Sequence, residues 1–368
     1  MTNIFKKIVF HLNGRPRKWF RNIFFDADLN VKPLFRSVVY DASGFVRPSF
    51  DSWYVRVLQN PNNNIDPEWM TERKTIISFN RQRKIRRISI IAPPATFFIA
   101  YWLRWNLQGC GVVISIFNEM PIGGFNDELY FVICAQVFNK LPPRGKRIIY
   151  QLEQSITSRW FNQEYINILY NSLGVFDYSE ENIKYMRALK CPLENLYHVP
   201  IEPLKNDMSW LKIDEQMAPI ESFDVLFYGD IKNKRRQKFI KVLSNNFNLK
   251  VVTNLYGFDL WRTLLGAKVI VNIHYYENAL LETTRICECL SLGLRVVSEM
   301  GSDQDQYTGQ LKGVIFTPID DIIAMVDAIR LLLESQTSIS IKDPTLINKN
   351  RNLGFANALE ELNLSVSD

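Results

Sequence analysis

The chain has 368 residues, 47% hydrophobic and 22% charged, which excludes a disordered polymer and allows two ordinary domains plus an extension. Its net charge of +6 is unevenly placed: residues 1–87 carry 17 Lys/Arg against 7 Asp/Glu, and the remainder 27 against 31. Five scattered cysteines (Cys110, Cys134, Cys191, Cys287 and Cys289) favour reduced thiols in a cytosolic protein over disulfides or zinc.

No secretory signal is expected, since Lys6-Lys7 precedes only a short apolar run. The longest uncharged stretch, 88–103, is interrupted by Pro93-Pro94 and falls short of the roughly 20 residues a spanning helix needs. Residues 1–60 hold a weak repeat: Ile8-Val9-Phe10, Gly14, Arg17 and Phe20 recur as Val38-Val39-Tyr40, Gly44, Arg47 and Phe50. Two copies are too few for a solenoid and fit either an accessory unit packed on the main body, the favoured reading, or a separate binding module. The Asn-rich stretch 61–67 is a linker. Arg81 to Arg87 (RQRKIRR) is either a solvated approach to the next strand or a contact for anionic lipid head groups, each cation near such a surface adding about 1 kcal/mol. Nucleic acid is not expected as a partner, because no binding module accompanies the charge.

From Arg87 onward strands and helices alternate, which predicts a parallel, doubly wound sheet. Strands are expected at 88–92, 112–117, 147–150 and 174–176, and helices at 96–107 and 180–189, the second capped by Ser179. The polar residues at these strand ends, Asn118, Glu119, Glu153, Gln154 and Ser155, should line one cleft. Residues 195–203, with two prolines, form an extended hinge. A second α/β unit follows, with strands at 224–228, 249–253, 269–273 and 295–299, and helices from 258, 282 and 319. Gly293 should stop the helix that starts at Glu282. An apolar pattern at 353–362 predicts a last helix returning to the first domain.

Two clusters in the second unit carry chemistry. In YGDIKNKRR, Gly229 follows a buried strand and four cations (Lys232, Lys234, Arg235 and Arg236) lie at a helix start, an arrangement suited to a diphosphate. A solvated basic helix start would look the same. In the second cluster Glu282, Thr283, Thr284, Arg285 and Glu288 open a helix just after the strand-end residues His274, Tyr275, Tyr276 and Glu277. Arg285 and Glu288 are either a surface ion pair or a phosphate contact and a ribose contact. His274 is either a structural donor or a catalytic group.

These residues resemble a family. Phe227-Tyr228-Gly229 with Arg235-Arg236, Leu255-Tyr256-Gly257, Leu281-Glu282-Thr283 through Glu288 to Gly293, and Val296 to Glu299 look like the donor-binding half of group-1-like GT-B glycosyltransferases. The resemblance covers about residues 88–345. It implies two Rossmann-like domains facing across a cleft behind a basic N-terminal extension. The divisions would be 1–85 for the extension, 86–203 for the acceptor domain, 204–345 for the nucleotide-sugar domain and 346–368 for a C-terminal helix. It also implies a nucleoside-diphosphate sugar as donor, a saccharide or lipid-linked saccharide as acceptor, and no metal or other cofactor. The donor-binding residues would be Gly229, Lys234, Arg235, Arg236, Tyr256, Glu282, Thr283, Thr284, Arg285 and Glu288. Glu288 matches the second glutamate of the family's paired-Glu motif, whereas the first falls at Leu280, so stereochemistry does not follow. If the reaction inverts, Glu153 or Glu119, each after a strand, is either the base that activates the acceptor or a structural cap of the next helix, with His274 the third catalytic candidate. The location expected is cytoplasmic, peripheral at the inner membrane face through the basic first quarter. The competing expectations are a nucleotide-sugar epimerase on the same fold and a non-catalytic sugar- or nucleotide-binding relative.

Overall fold

The computed structural model describes residues 18–24, 32–39, 67–80, 82, 85–108, 111–121, 123–155, 160–188, 193–204, 209–211, 218–219, 221–275, 279–307, 311–335 and 352–364. The repeat proposed for residues 1–60 and the linker at 61–67 lie largely outside these residues. Eleven strands are described. They are β1 (Arg87–Ile91), β2 (Val113–Phe117), β3 (Leu129–Ile133), β4 (Arg147–Gln151), β5 (Gly174–Asp177), β6 (Leu196–His198), β7 (Phe223–Tyr228), β8 (Leu249–Val252), β9 (Ala267–Asn272), β10 (Arg295–Glu299) and β11 (Val314–Thr317). The described helices are α1 (Lys18–Phe24), α2 (Arg36–Val39), α3 (Pro67–Asn80), α4 (Phe97–Asn106), α5 (Gln163–Tyr170), α6 (Glu180–Ala188), α7 (Lys234–Asn246), α8 (Gly257–Leu264), α9 (Thr283–Ser291), α10 (Ile322–Glu334) and α11 (Leu353–Glu361).

The chain divides into two compact units, one of residues 1–91, 109–200 and 353–368, the other of residues 92–108 and 201–352. The expected boundaries at 85, 203 and 345 are linear cuts, whereas the chain passes between the units four times. Helix α4 thus belongs with the second sheet although it directly follows β1, and α11 returns to the first.

The first unit is a six-stranded sheet in the order β2-β1-β3-β4-β5-β6, all parallel. Successive strand residues face opposite ways. Tyr130 and Val132 pack toward Trp69 of α3 and Leu169 of α5, and Phe131 toward Phe355 of α11, with ring centroids 6.1 Å apart. The second unit is a five-stranded parallel sheet, β11-β10-β9-β7-β8. One face meets Phe239 and Leu243 of α7 and Met325 and Ile329 of α10. On the aromatic side Trp210 lies edge-on to Phe98 and Tyr101 of α4 and to Trp261 of α8.

Counted from their own first strands, both sheets begin in the order 2-1-3-4-5, so each reverses between its first and third strand. In open α/β sheets that reversal opens a crevice beyond the strands' carboxyl ends. Residues at the ends of β7 and β9 are therefore placed to meet a ligand.

Candidate functional site

Two apolar strands deliver the centre of the site. β7 runs out at Tyr228 and Gly229, and β9 at Asn272. Gly229 has φ +137°, and a Cβ built there would lie 3.2 Å from Arg285 Nη2 and 3.3 Å from Arg236 Nη1. Two guanidinium groups from different helices thus converge on one glycine at the switch point. Arg236 belongs to the first turn of α7, whose N-cap Asn233 accepts from the Arg235 N–H at 2.7 Å. Arg285 belongs to the first turn of α9. That helix stops as expected at Gly293, φ +74°, with Leu294 N–H donating to the Cys289 carbonyl and Gly293 N–H to that of Leu290.

Glu282 lies between the two cations, its carboxylate 3.0 Å from Arg285 Nη2 and 3.3 Å from Arg236 Nη2. Burial alone would raise its pKa, but Arg285, His274 and Arg236 together hold the carboxyl well below the usual range. Arg236 is nearly inaccessible and donates from Nε to the Ile273 carbonyl and from Nη1 to that of Asp230. Tyr275 and Phe227 lie against its guanidinium. Arg285 donates to the Asn272 side chain at 3.2 Å and stacks 4.8 Å from the Tyr228 ring centre. Two cations sharing one anion leave a net positive corner, smaller than the arginine count suggests.

Arg235 is engaged differently. Its guanidinium pairs with Glu299 and with Asp320 and donates to the His274 carbonyl at 2.6 Å. His274 is fully buried. Its Nε2 lies 3.1 Å from the Glu299 carbonyl, which can only accept, so that nitrogen carries the proton; Nδ1 faces Glu282 at 3.7 Å. The His274 N–H also donates to the Glu299 carboxylate. Arg235, His274 and Glu299 together tie the segment after β9 to the end of β10.

Glu288, one turn beyond Arg285, accepts from the Tyr228 hydroxyl at 2.7 Å and from the Trp261 indole at 2.8 Å. Burial raises its pKa against the opposing pull of those two bonds and of Arg285. A continuous chain of contacts therefore joins Glu288, Tyr228, Arg285, Glu282 and Arg236. Lys234 is exposed at the α7 start and Tyr256 is exposed before α8. Thr283 is buried and Thr284 half-buried at the start of α9. Tyr276 and Glu277 lie outside the described residues.

In the first unit, Glu153 is half-buried beyond β4 and accepts from the Gln136 amide at 2.9 Å. Its N–H bonds the Gln151 side chain, and its carbonyl accepts from the amides of Gln151 and Asn182. The same amides reach the fully buried Asp177 at the end of β5, at 2.9 and 3.2 Å. Burial pushes the Asp177 carboxyl up to about 7, against the lowering by the Ser179 N–H and these amides. Ser179 caps α6 as expected, accepting from the Asn182 N–H. Glu119 is exposed two residues beyond β2, an edge strand. β1 and β3 separate β2 from β4, so the two glutamates are set apart by three strand spacings, about 14 Å.

Several site residues escaped the sequence reading: Trp261, Asn272, Asp320 and the anchoring role of Glu299. Asn272 offered a signal, since an amide ending an otherwise apolar central strand must have its hydrogen bonds met inside. It does, donating to Ser298 Oγ at 3.0 Å and accepting from Arg285. Trp261 offered none, because an indole on an amphipathic helix has the signature of core.

The fold and this site define a class: paired parallel α/β units, the second bearing an arginine-lined corner at its switch point. Among solved structures the chain is similar to a lipopolysaccharide outer core galactosyltransferase WaaB, apo form, at 11% identity and TM-score 0.39, covering 74% of this chain and 99% of that one. It is also similar to Alr3699/HepE of Anabaena in complex with UDP and glucose, at 10% identity and TM-score 0.41, covering 76% and 95%. A third is a protein described as a UDP-N-acetylglucosamine 2-epimerase from Listeria monocytogenes, at 7% identity and TM-score 0.37, covering 76% and 94%. No protein-family profile and no curated protein matches the chain. Likeness at these scores assigns no chemistry, which must come from the side chains themselves.

Proposed function

We propose that the second unit binds a nucleoside-diphosphate sugar and that the protein transfers the sugar to a saccharide or lipid-linked saccharide acceptor. The observation that carries this reading is the convergence of the Arg236 and Arg285 guanidiniums on Gly229 at the β7/β9 reversal. Planar guanidinium forks match diphosphate oxygens, and the missing Cβ leaves room for a close approach. In this reading Arg236 and Arg285 stabilise the leaving diphosphate, a task that metal-dependent transferases give to a cation. The start of α7, with Lys234, adds the helix dipole. Glu288 keeps spare lone pairs on both oxygens and would accept from ribose hydroxyls, with Tyr256 flanking the nucleoside. Thr283 and Thr284 would stand at the phosphate end of α9. Arg235 and His274 would hold the 273–275 backbone in place.

For the acceptor step the base would be Glu153, whose backbone is fixed on three sides and whose carboxylate has a hydrogen-bonded neighbour. Glu119 is the weaker candidate because no described element orients it. The acceptor domain would work at the cytoplasmic face, with the basic first quarter on anionic lipid. Exposed Trp19 and Ile23 on α1 fit such a surface. No helix among the described residues is long and apolar enough to cross a membrane.

Calorimetry with UDP, GDP and ADP tests the donor site. At least one should bind the wild type, and Arg285→Gln should weaken it tenfold or more, the worth of one charge-assisted bond. No heat with any of the three would reject the reading. Sugar release that proceeds equally without acceptor would replace transfer with turnover of the donor alone.

A further inference from the structure

The basic run RQRKIRR is not used by the donor site, and its last two residues line a cavity of about 350 Å³ in the first unit. The cavity sits where β1, β3, β4 and β5 begin, the edge of the sheet opposite Glu153 and Asp177. Asn80, Arg86, Arg87, Asp127, Glu128 and Gly145 contribute to its wall. Its size matches that of small-molecule sites, at the lower end of a few hundred Å³.

The charges in this wall do not cancel. Asp127 is paired with Lys146 at 3.0 Å. Glu128 lies against the Tyr130 hydroxyl, which burial, with this carboxylate beside it, pushes up to about 12. Arg86 and Arg87 have no ion-pair or side-chain hydrogen-bond partner among the described residues. Two exposed guanidiniums, free of protein partners among the described residues, flank the concavity and offer more donors than the one carboxylate there can accept. A phosphate dianion, with three terminal oxygens and two charges, answers both.

We propose that this cavity binds a phosphate monoester group through Arg86 and Arg87, on the edge of the first sheet away from the chemistry. The same group could arrive on a lipid, as in phosphatidic acid, or on a soluble phosphorylated molecule. The proposal stands apart from the donor site, which lies in the other unit.

The test uses the full chain and an Arg86→Gln/Arg87→Gln variant. Inorganic phosphate binding is followed by ³¹P line broadening, and lipid binding by flotation with phosphatidylcholine vesicles with and without phosphatidic acid. The variant should lose about tenfold in affinity per guanidinium in one arm or both, while its response to nucleoside diphosphates stays that of the wild type. Loss only in the vesicle arm identifies a lipid head group; loss in the phosphate arm identifies a soluble ligand. Equal binding by variant and wild type in both arms overturns the proposal, whatever the nucleotide result. Should the double variant melt early, Glu128→Gln decides: removing that carboxylate should tighten phosphate several-fold, and no change overturns the proposal.

Discussion

Glu282 is the one carboxylate ion-paired with both Arg236 and Arg285 among the described residues; the other partners described for them are neutral oxygens and ring faces. Removing one partner of a buried ion pair leaves an uncompensated charge, at a cost of about 3–5 kcal/mol. Glu282→Ala should therefore lower unfolding free energy by roughly that amount, read from denaturant midpoints, with Glu282→Gln intermediate because its amide oxygen can still accept. Gly229→Ala tests the close approach itself. At φ +137° an alanine is strained by about 1–3 kcal/mol, and its methyl would press on both arginines, so donor affinity should fall together with stability. Asp177 predicts a pH effect of the opposite sign to that of Glu282. Its folded pKa, raised to about 7, exceeds its unfolded value, so its contribution is fully present below about pH 4 and is lost as pH rises toward 7. Glu282, with a depressed folded pKa, contributes above its unfolded value and loses that contribution as pH falls. Subtracting the pH–stability curve of Asp177→Asn from that of the wild type should isolate the first effect as a downward slope between pH 4 and 7.

At the scale of elements, periodicity located most strands and helices of both sheets to within two or three residues. β10 coincides with the expected 295–299, and Gly293 ends α9 through the bonds its position implied. β3 was not legible, although it is the central strand with every residue buried. The reading relied on strands alternating with helices, and no α-helix lies between β3 and β4, only two short 3-10 turns. The cationic residues of the site were visible for a related reason. A glycine after a strand and arginines at helix starts are local signals, whereas their partners Trp261, Glu299 and Asp320 come from distant segments that only folding assembles. Phe355 on α11 illustrates the same limit in the core. The sequence suggested a returning helix, but not that this ring would meet both Phe131 and Phe176. Phe355→Ala should cost about 3–5 kcal/mol, measurable as a fall in melting temperature.

At the scale of the whole molecule, each sheet borrows a helix from beyond a linear boundary. A fragment of residues 204–345 lacks Phe98 and Trp102 of α4, both nearly inaccessible in the intact chain. Without Phe98 and Tyr101, Trp210 keeps only its edge-on contact with Trp261 among the described ring pairs, and Trp261 loses Tyr101. Such a fragment should show no cooperative unfolding transition by near-ultraviolet circular dichroism, whereas one joining 92–108 to 201–352 should.

The detour of α11 also bears on how the protein is made. A ribosome that has finished β6 must translate some 150 further codons before α11 emerges, roughly 8–30 s at ordinary elongation rates. Throughout that interval Phe131 and Phe176 lack the Phe355 ring that packs on both in the finished fold. A nascent chain held at that length should therefore self-associate more readily than the finished protein, in which Phe355 packs on both rings.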